Sequence, residues 1–302
     1  MAMSLIEQFQ SDCRVRNISS PKIYMLYAEE FLDFLEKRGK KATEVTKEDL
    51  KAYLAILRER RLKQASINRV FTCLSGFYAF LADEDLISSN PVIPFRRRYL
   101  RKYKEDNDSA SRQIIDVEQA SMLVNSILDS RDKAIVTLLF KTGMRVGELC
   151  RLDINDINKD DMSLRLKPAA KRSNRILFFD RETANMLRIW LRVRREKRKD
   201  DSALFPSQLG RRLGRGQVEN LVERHAARVG LHNPDSASLE DRFTPHCCRH
   251  WFTTHLIRAG MSRDFVKELR GDIRKEAIDI YNHIDKEELK ESYLAHIPQL
   301  GI

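Results

Sequence analysis

Long apolar runs are missing from this sequence: no window reaches the roughly 18 continuous apolar residues that a membrane span requires. The opening MAMSLIEQFQSDCRVRN has none of the long apolar core of a secretory signal. Together these absences give the expectation of a soluble, cytoplasmic protein. Cysteine is scarce as well. Cys13, Cys73, Cys150, Cys247 and Cys248 are odd in number and scattered, with no C-x-x-C pair, which suits free thiols in a reducing compartment and argues against a disulfide framework or a zinc ribbon. With only 11 Gly and 8 Pro in 302 residues, collagen-like and low-complexity classes are excluded, and no internal repeat is visible.

What is present fits a helix-rich globular protein: 42% hydrophobic, 8% aromatic and 33% charged residues. A chain of 302 residues is long enough that a split into two domains is expected, since single cores stop growing near this length. Lys and Arg number 55 against 44 Asp and Glu, a net charge of +11 that favours a polyanionic partner. Nucleic acid is the first choice and an anionic membrane surface the second.

Residues 1–90 read as a helical module. Pro21 at a first helical position opens a stripe of Tyr24, Tyr27, Phe31, Phe34 and Leu35; Thr46 with Asp49 caps a second helix, and a third runs from about Gln64. Residues 91–112, PVIPFRRRYLRKYKEDNDSASR, read as a basic interdomain linker in which Arg96, Arg97, Arg98, Arg101 and Lys102 are candidate DNA-backbone contacts; a merely solvated linker is the alternative. Residues 113–302 form a second, mixed module. Asp116 opens a D-x-x-Q capping box, 163–167 and 175–179 are β-like runs, and helices are expected near 180–197, 215–229, 245–259, 262–270 and 286–296.

Three stretches of the second module carry chemistry. In TPHCCRHWFTTHL, Thr244 and Pro245 start a helix, and His246 and Arg249, three apart, share its first-turn face beside unpaired backbone N–H groups and the positive end of the helix dipole. The pair is a phosphate-site candidate, although H-x-x-R alone serves structural roles more often. In KTGMRVGELCRL, a helix stops at Gly143 and Arg145 stands at the turn into the next; its planar fork of donors can hold two phosphate oxygens, with a surface ion pair as the plainer alternative. Near the C-terminus, Tyr281 follows ELRGDIRKEAIDI, where most tyrosines are packing residues.

Taken in this order, the three segments resemble the tyrosine recombinase (phage integrase) family, whose pattern is T-G-x-R-x-x-E-L, then H-x-x-R-H, then L-G-H and a tyrosine. The resemblance implies a mainly α fold with a small β-sheet: a helical N-terminal DNA-clamping domain and a mixed catalytic domain. It implies Tyr281 as nucleophile, Arg145 and Arg249 as phosphate ligands, and His246 as a proton acceptor or positioning group. No metal, cofactor or ATP is implied, because the arginines supply positive field and a 3′-phosphotyrosyl bond conserves the bond energy. Double-stranded recombination sites are the implied partner, bound by a homotetramer on two duplexes, with the protein acting at the nucleoid. A mobile-element integrase is the expected role, and Xer-type chromosome or plasmid dimer resolution or a catalytically silent DNA-binding protein are the alternatives.

Two departures qualify the match. Where the family has L-G-H or a tryptophan, this chain has Arg270-Gly271-Asp272, and Asp272 is expected to orient an arginine or a histidine rather than touch phosphate. The family's hairpin lysine aligns with Ala170, so the adjacent Lys171 is the choice for the general acid, with Lys167 in reserve. A metal enzyme built on His246, His250, His255 and Cys247 or Cys248 is a reading of a different class: His246 and His250 sit at i, i+4, but no H-E-x-x-H or paired-Cys spacing occurs. Finally, residues 286–297 carry Leu289, Tyr293, Leu294 and Ile297 along one stripe, an amphipathic helix expected to dock on a neighbouring protomer, with its own domain as the alternative.

Overall fold

A computed structural model of the chain describes residues 4–18, 21–100, 113–167, 175–196, 202–236, 238, 240–272 and 284–302. The chain divides into two compact units, Met1–Asn107 and Asp108–Ile302, and is mainly helical with one small sheet. Among the described residues no helix is long and apolar enough to cross a membrane.

The first unit contains helices α1 (Leu5–Val15), α2 (Pro21–Glu36), α3 (Lys47–Glu59), α4 (Gln64–Asp83) and α5 (Val92–Tyr99). Each apolar stripe turns inward, and Phe9, Phe31, Tyr53, Phe71, Phe77 and Tyr78 form one core in which Phe31 meets Tyr53 edge-on at 4.9 Å. The Thr46 cap fixes the start of α3. Thr46 N and Oγ1 donate to Asp49 at 2.9 and 2.6 Å, and Lys40 adds an ion pair at 2.7 Å. Burial alone would raise the Asp49 carboxyl, but the hydrogen bonds from Lys40 and Thr46 outweigh it and hold the group at about 2. Helix α1, capped reciprocally by Ser4 and Glu7, went unmarked in the sequence reading.

The stretch read as the opening of the linker is helix α5. Val92, Phe95 and Leu100 are buried in the first unit's core, and Phe95 stacks on Phe71 at 5.3 Å. Pro94 does not break α5 because it lies in the first turn, where backbone N–H groups have no intrahelical partner. Arg97 and Arg98 remain exposed, while Arg96 donates to Thr72 Oγ1 at 2.8 Å. Tyr99 lies within 5.6, 5.7 and 5.8 Å of Lys47, Lys51 and Arg98, so α3 and α5 share one basic edge. Arg101 and Lys102 lie outside the described residues.

The second unit contains α6 (Val117–Asn125), α7 (Ser130–Thr142), α8 (Val146–Arg151), strands β1 (Ile157–Asn158), β2 (Ser163–Leu166) and β3 (Arg175–Phe178), then α9 (Arg181–Glu196), α10 (Arg215–Arg228), α11 (Pro245–Arg258), α12 (Arg263–Arg270) and α13 (Lys286–His296). The strands pair antiparallel in the order β1-β2-β3, with Leu164 opposite Leu177. Helix α7 is apolar almost all round and runs through the core, packed by α9 and α11.

Helix α13 buries Leu289, Tyr293 and Ile297 in the core of its own unit, where the sequence reading expected a neighbouring protomer. The stripe alone defines which face is apolar and leaves its acceptor open. The acceptor is a polar clamp. Tyr293 donates its hydroxyl to Lys141 O at 2.8 Å, and Glu182 accepts from the backbone N–H groups of Leu300, Gly301 and Ile302.

Candidate active site

The site begins where α7 ends. Gly143 adopts the left-handed conformation at φ 58°, and a Cβ there would overlap the Phe252 ring, so only glycine allows the chain to turn this closely against α11. The turn delivers Arg145 to the N-cap position of α8, where its backbone N donates to Glu148 Oε2 at 2.8 Å. Helix α11 starts at Pro245 and presents His246 and Arg249 on one face, as the spacing predicts. Helix α12 closes with Gly271 at φ 60°, which leaves the Arg270 carbonyl without an intrahelical donor.

That carbonyl is the hub. Arg145, Arg175 and Arg249 donate to Arg270 O at 3.2, 2.7 and 2.8 Å. Arg249 also donates to Gly143 O at 2.6 Å, and Arg175 to Glu148 Oε2 at 2.9 Å. Arg145 and Arg249, 104 positions apart, are thus held by one carbonyl beside a cleft of about 570 Å³. Its lining includes Arg145, Glu148, Arg151, Arg215, His246 and Arg249. Burial, then the neighbouring Arg145 and Arg270 charges, push Arg249 down to about 9, so its cationic form is held at a cost that an anion would relieve.

Asp272 reaches the same guanidinia. Its Oδ1 lies 3.8 Å from Arg145 Nη2 and 3.5 Å from Arg249 Nη2, and its Oδ2 lies 3.1 Å from Arg270 Nε. His246 is exposed on the cleft wall, its ring 5.0 Å from that of His250. Lys167 is ion-paired with Asp153, which also binds Arg212, and lies 3.8 Å from Asp156. Tyr281 and Lys171 lie outside the described residues. Among the described residues no group of three or more His, Cys, Asp or Glu side chains is arranged to hold a metal ion; His255 is engaged with Ile115 O at 3.1 Å, and Cys247 and Cys248 are buried.

Sequence reasoning missed Arg175 and Arg215. Arg175 is buried at the start of β3, and a Cβ on Gly271 would overlap its guanidinium. Arg215 crosses Gly147 so closely that a Cβ there would stand 2.8 Å from its Nε and Nη2. Neither was legible in the sequence, since Gly147 lies 215 − 147 = 68 positions from Arg215 and Gly271 lies 271 − 175 = 96 from Arg175.

Residues 112–288 match the model of the phage integrase family, and residues 5–88 match its N-terminal SAM-like domain. The chain belongs to the phage integrase family. Curated relatives include the tyrosine recombinase XerC of Leptospira interrogans, 28% identical over 87% of this chain and 82% of that protein. The tyrosine recombinase XerC of Haemophilus ducreyi is 30% identical over 78% of this chain and 73% of that protein. Among solved structures, the fold is shared with the XerH site-specific recombinase bound to its difH substrate, at a TM-score of 0.68 and 20% identity over 97% of this chain and 84% of that one. It is also shared with a lambda integrase dimer bound to a core site, at a TM-score of 0.65 and 18% identity over 93% and 78% of the two chains.

Proposed function

We infer that this chain is a site-specific tyrosine recombinase that cuts and rejoins DNA strands. The observation that carries the reading is the convergence of Arg145 and Arg249 on a shared carbonyl beside a cleft, two forked cations set to receive non-bridging phosphate oxygens. In the proposed step the Tyr281 oxygen attacks the phosphorus, the bond to the 5′-oxygen breaks, and a 3′-phosphotyrosyl ester forms. His246, on the cleft wall, accepts or positions the phenolic proton, and Lys171 gives a proton to the departing 5′-oxygen. Reversal by a 5′-hydroxyl of a second duplex rejoins the strands without ATP. The pairing of Lys167 with Asp153 supports Lys171, because a lysine tied to a carboxylate is a poor proton donor.

The basic edge of α3 and α5, with Arg96, Arg97 and Arg98 and the continuing Arg101 and Lys102, is proposed to lie along the DNA backbone. We propose a homotetramer on two duplexes, acting in the cytoplasm at the nucleoid, in which α13 leaves its own unit and docks in trans during synapsis. A mobile-element integrase is the role favoured by the departure at Arg270-Gly271-Asp272; dimer resolution is favoured by the XerC relatives.

The test is trapping on a nicked duplex, with denaturing gels and peptide mapping of the adduct. A covalent protein–DNA adduct at Tyr281, lost in Tyr281→Phe while DNA binding persists, is expected. An adduct that persists in Tyr281→Phe refutes the assignment, and no adduct from the wild-type chain leaves a silent DNA-binding protein.

A further inference from the structure

Asp272 sets an acceptor carboxylate among the guanidinia of the clamp, beside a cleft that Glu148 also lines, and its geometry separates two roles that a carboxylate can play there. An orienting group holds its arginine by short, charge-assisted bonds, typically about 2.7–2.9 Å. Asp272 stands farther off from the clamp, at 3.5 and 3.8 Å from Arg249 and Arg145, and its nearest guanidinium is that of Arg270, at 3.1 Å. The bonds that fix Arg249 are instead the short ones to backbone carbonyls, Gly143 O at 2.6 Å and Arg270 O at 2.8 Å, and Arg145 shares the second carbonyl. Those tethers are made by the backbone of two helix C-termini and do not depend on the Asp272 side chain. Asp272 is also a third exposed, at 33%, while the Arg249 side chain is 5% exposed, so the carboxylate has room to swing away and the guanidinium does not.

The backbone sets the carboxylate where it is. Gly271 turns through φ 60°, Arg175 packs against the face where a Cβ would project, and the next residue is thereby presented to the three guanidinia of Arg145, Arg249 and Arg270. A planar anion with two oxygens spread over these cations has the charge and the reach of the phosphate oxygens that the clamp would receive. A phosphodiester and an ionised Asp272 cannot share the position without like-charge repulsion.

We propose that Asp272 is an internal counter-ion that occupies the Arg145–Arg249 clamp and is displaced by the target phosphodiester, so that the site carries its own competitor against anions held too weakly to expel it. The proposal rests on the phosphate-clamp reading above. It makes Asp272 a discriminating residue: a phosphate fixed in register by the rest of the DNA contacts expels the carboxylate, and a freely diffusing oxyanion does not.

The test uses the full-length protein and inorganic sulfate as the probe, with Asp272→Asn, Asp272→Ala and the charge-preserving Asp272→Glu. Thermal unfolding is followed against sulfate at constant ionic strength, and single-turnover adduct formation is measured on a nicked duplex. Asp272→Asn and Asp272→Ala are expected to reach half-maximal stabilisation at about tenfold lower sulfate than the wild type, and to form adduct about threefold or more faster, while Asp272→Glu keeps a sulfate midpoint close to that of the wild type. An unchanged sulfate response with slowed adduct formation assigns Asp272 to positioning and overturns the proposal. If the parent reading fails because Tyr281→Phe still forms adduct, the sulfate response still decides whether Asp272 guards the arginines; if Tyr281 is the nucleophile and the sulfate response is unchanged, only this inference falls.

Discussion

Lys141 and Arg249 are both buried cations in the second unit, on helices α7 and α11 that pack together, yet their surroundings are opposite. Lys141 is fully enclosed and meets Asp180 and Glu182, each at 2.6 Å, and Pro298 O at 2.7 Å. Arg249 is tethered by carbonyls and stands among Arg145, Arg175 and Arg270, with the looser Asp272 and the nearby Glu148 partly offsetting them. A cation that holds a fold together is surrounded by anions. In the proposed function Arg249 is instead kept for a substrate anion, held in place by backbone carbonyls beside a counter-ion that the anion displaces.

The comparison breaks most visibly on the structural side. Lys141→Met leaves the buried Asp180 and the half-buried Glu182 without their cation and removes the Nζ bond to Pro298 O, so a loss of about 3–5 kcal/mol in denaturant unfolding is expected. Gly271→Ala sharpens it, because a Cβ at φ 60° both strains the turn and pushes Arg175 off the Arg270 carbonyl. We expect about 1–3 kcal/mol of destabilisation together with slower cleavage, read by thermal unfolding and adduct yield. The smallest effect falls on Lys167, whose ion pair with Asp153 lies at the surface. Lys167→Ala is expected to cleave within about twofold of wild type, whereas Lys171→Ala is slow on ordinary DNA and rescued by a 5′-thiol leaving group that needs no proton. Rescue confined to Lys167→Ala would exchange the two roles.

Much of the fold was legible because it rests on local chemistry. The capping boxes Thr46–Asp49 and Asp116–Gln119 form as their spacing predicts, and Gly143 and Pro245 mark the helix ends that bring Arg145 and Arg249 together. Helix α5 was hidden by its own charges: the Arg96–Arg97–Arg98 run and two prolines outweighed Val92, Phe95 and Leu100, which bury at helical spacing. Arg175 could not be found by pattern, because its partners, Glu148 and the Arg270 carbonyl, lie 27 and 95 positions away. The α13 stripe was read correctly as a docking face, but sequence periodicity carries no information about which surface it meets.

The most direct test of the account sets the two buried cations side by side, measuring unfolding free energy and single-turnover adduct formation for Arg249→Lys and Lys141→Met at a temperature where both remain folded. The account predicts that Arg249→Lys keeps most of its stability but loses cleavage by on the order of a hundredfold or more, since the forked donor is gone while the charge remains, and that folded Lys141→Met cleaves close to wild type despite its lost stability. Near-wild-type cleavage by Arg249→Lys would contradict it.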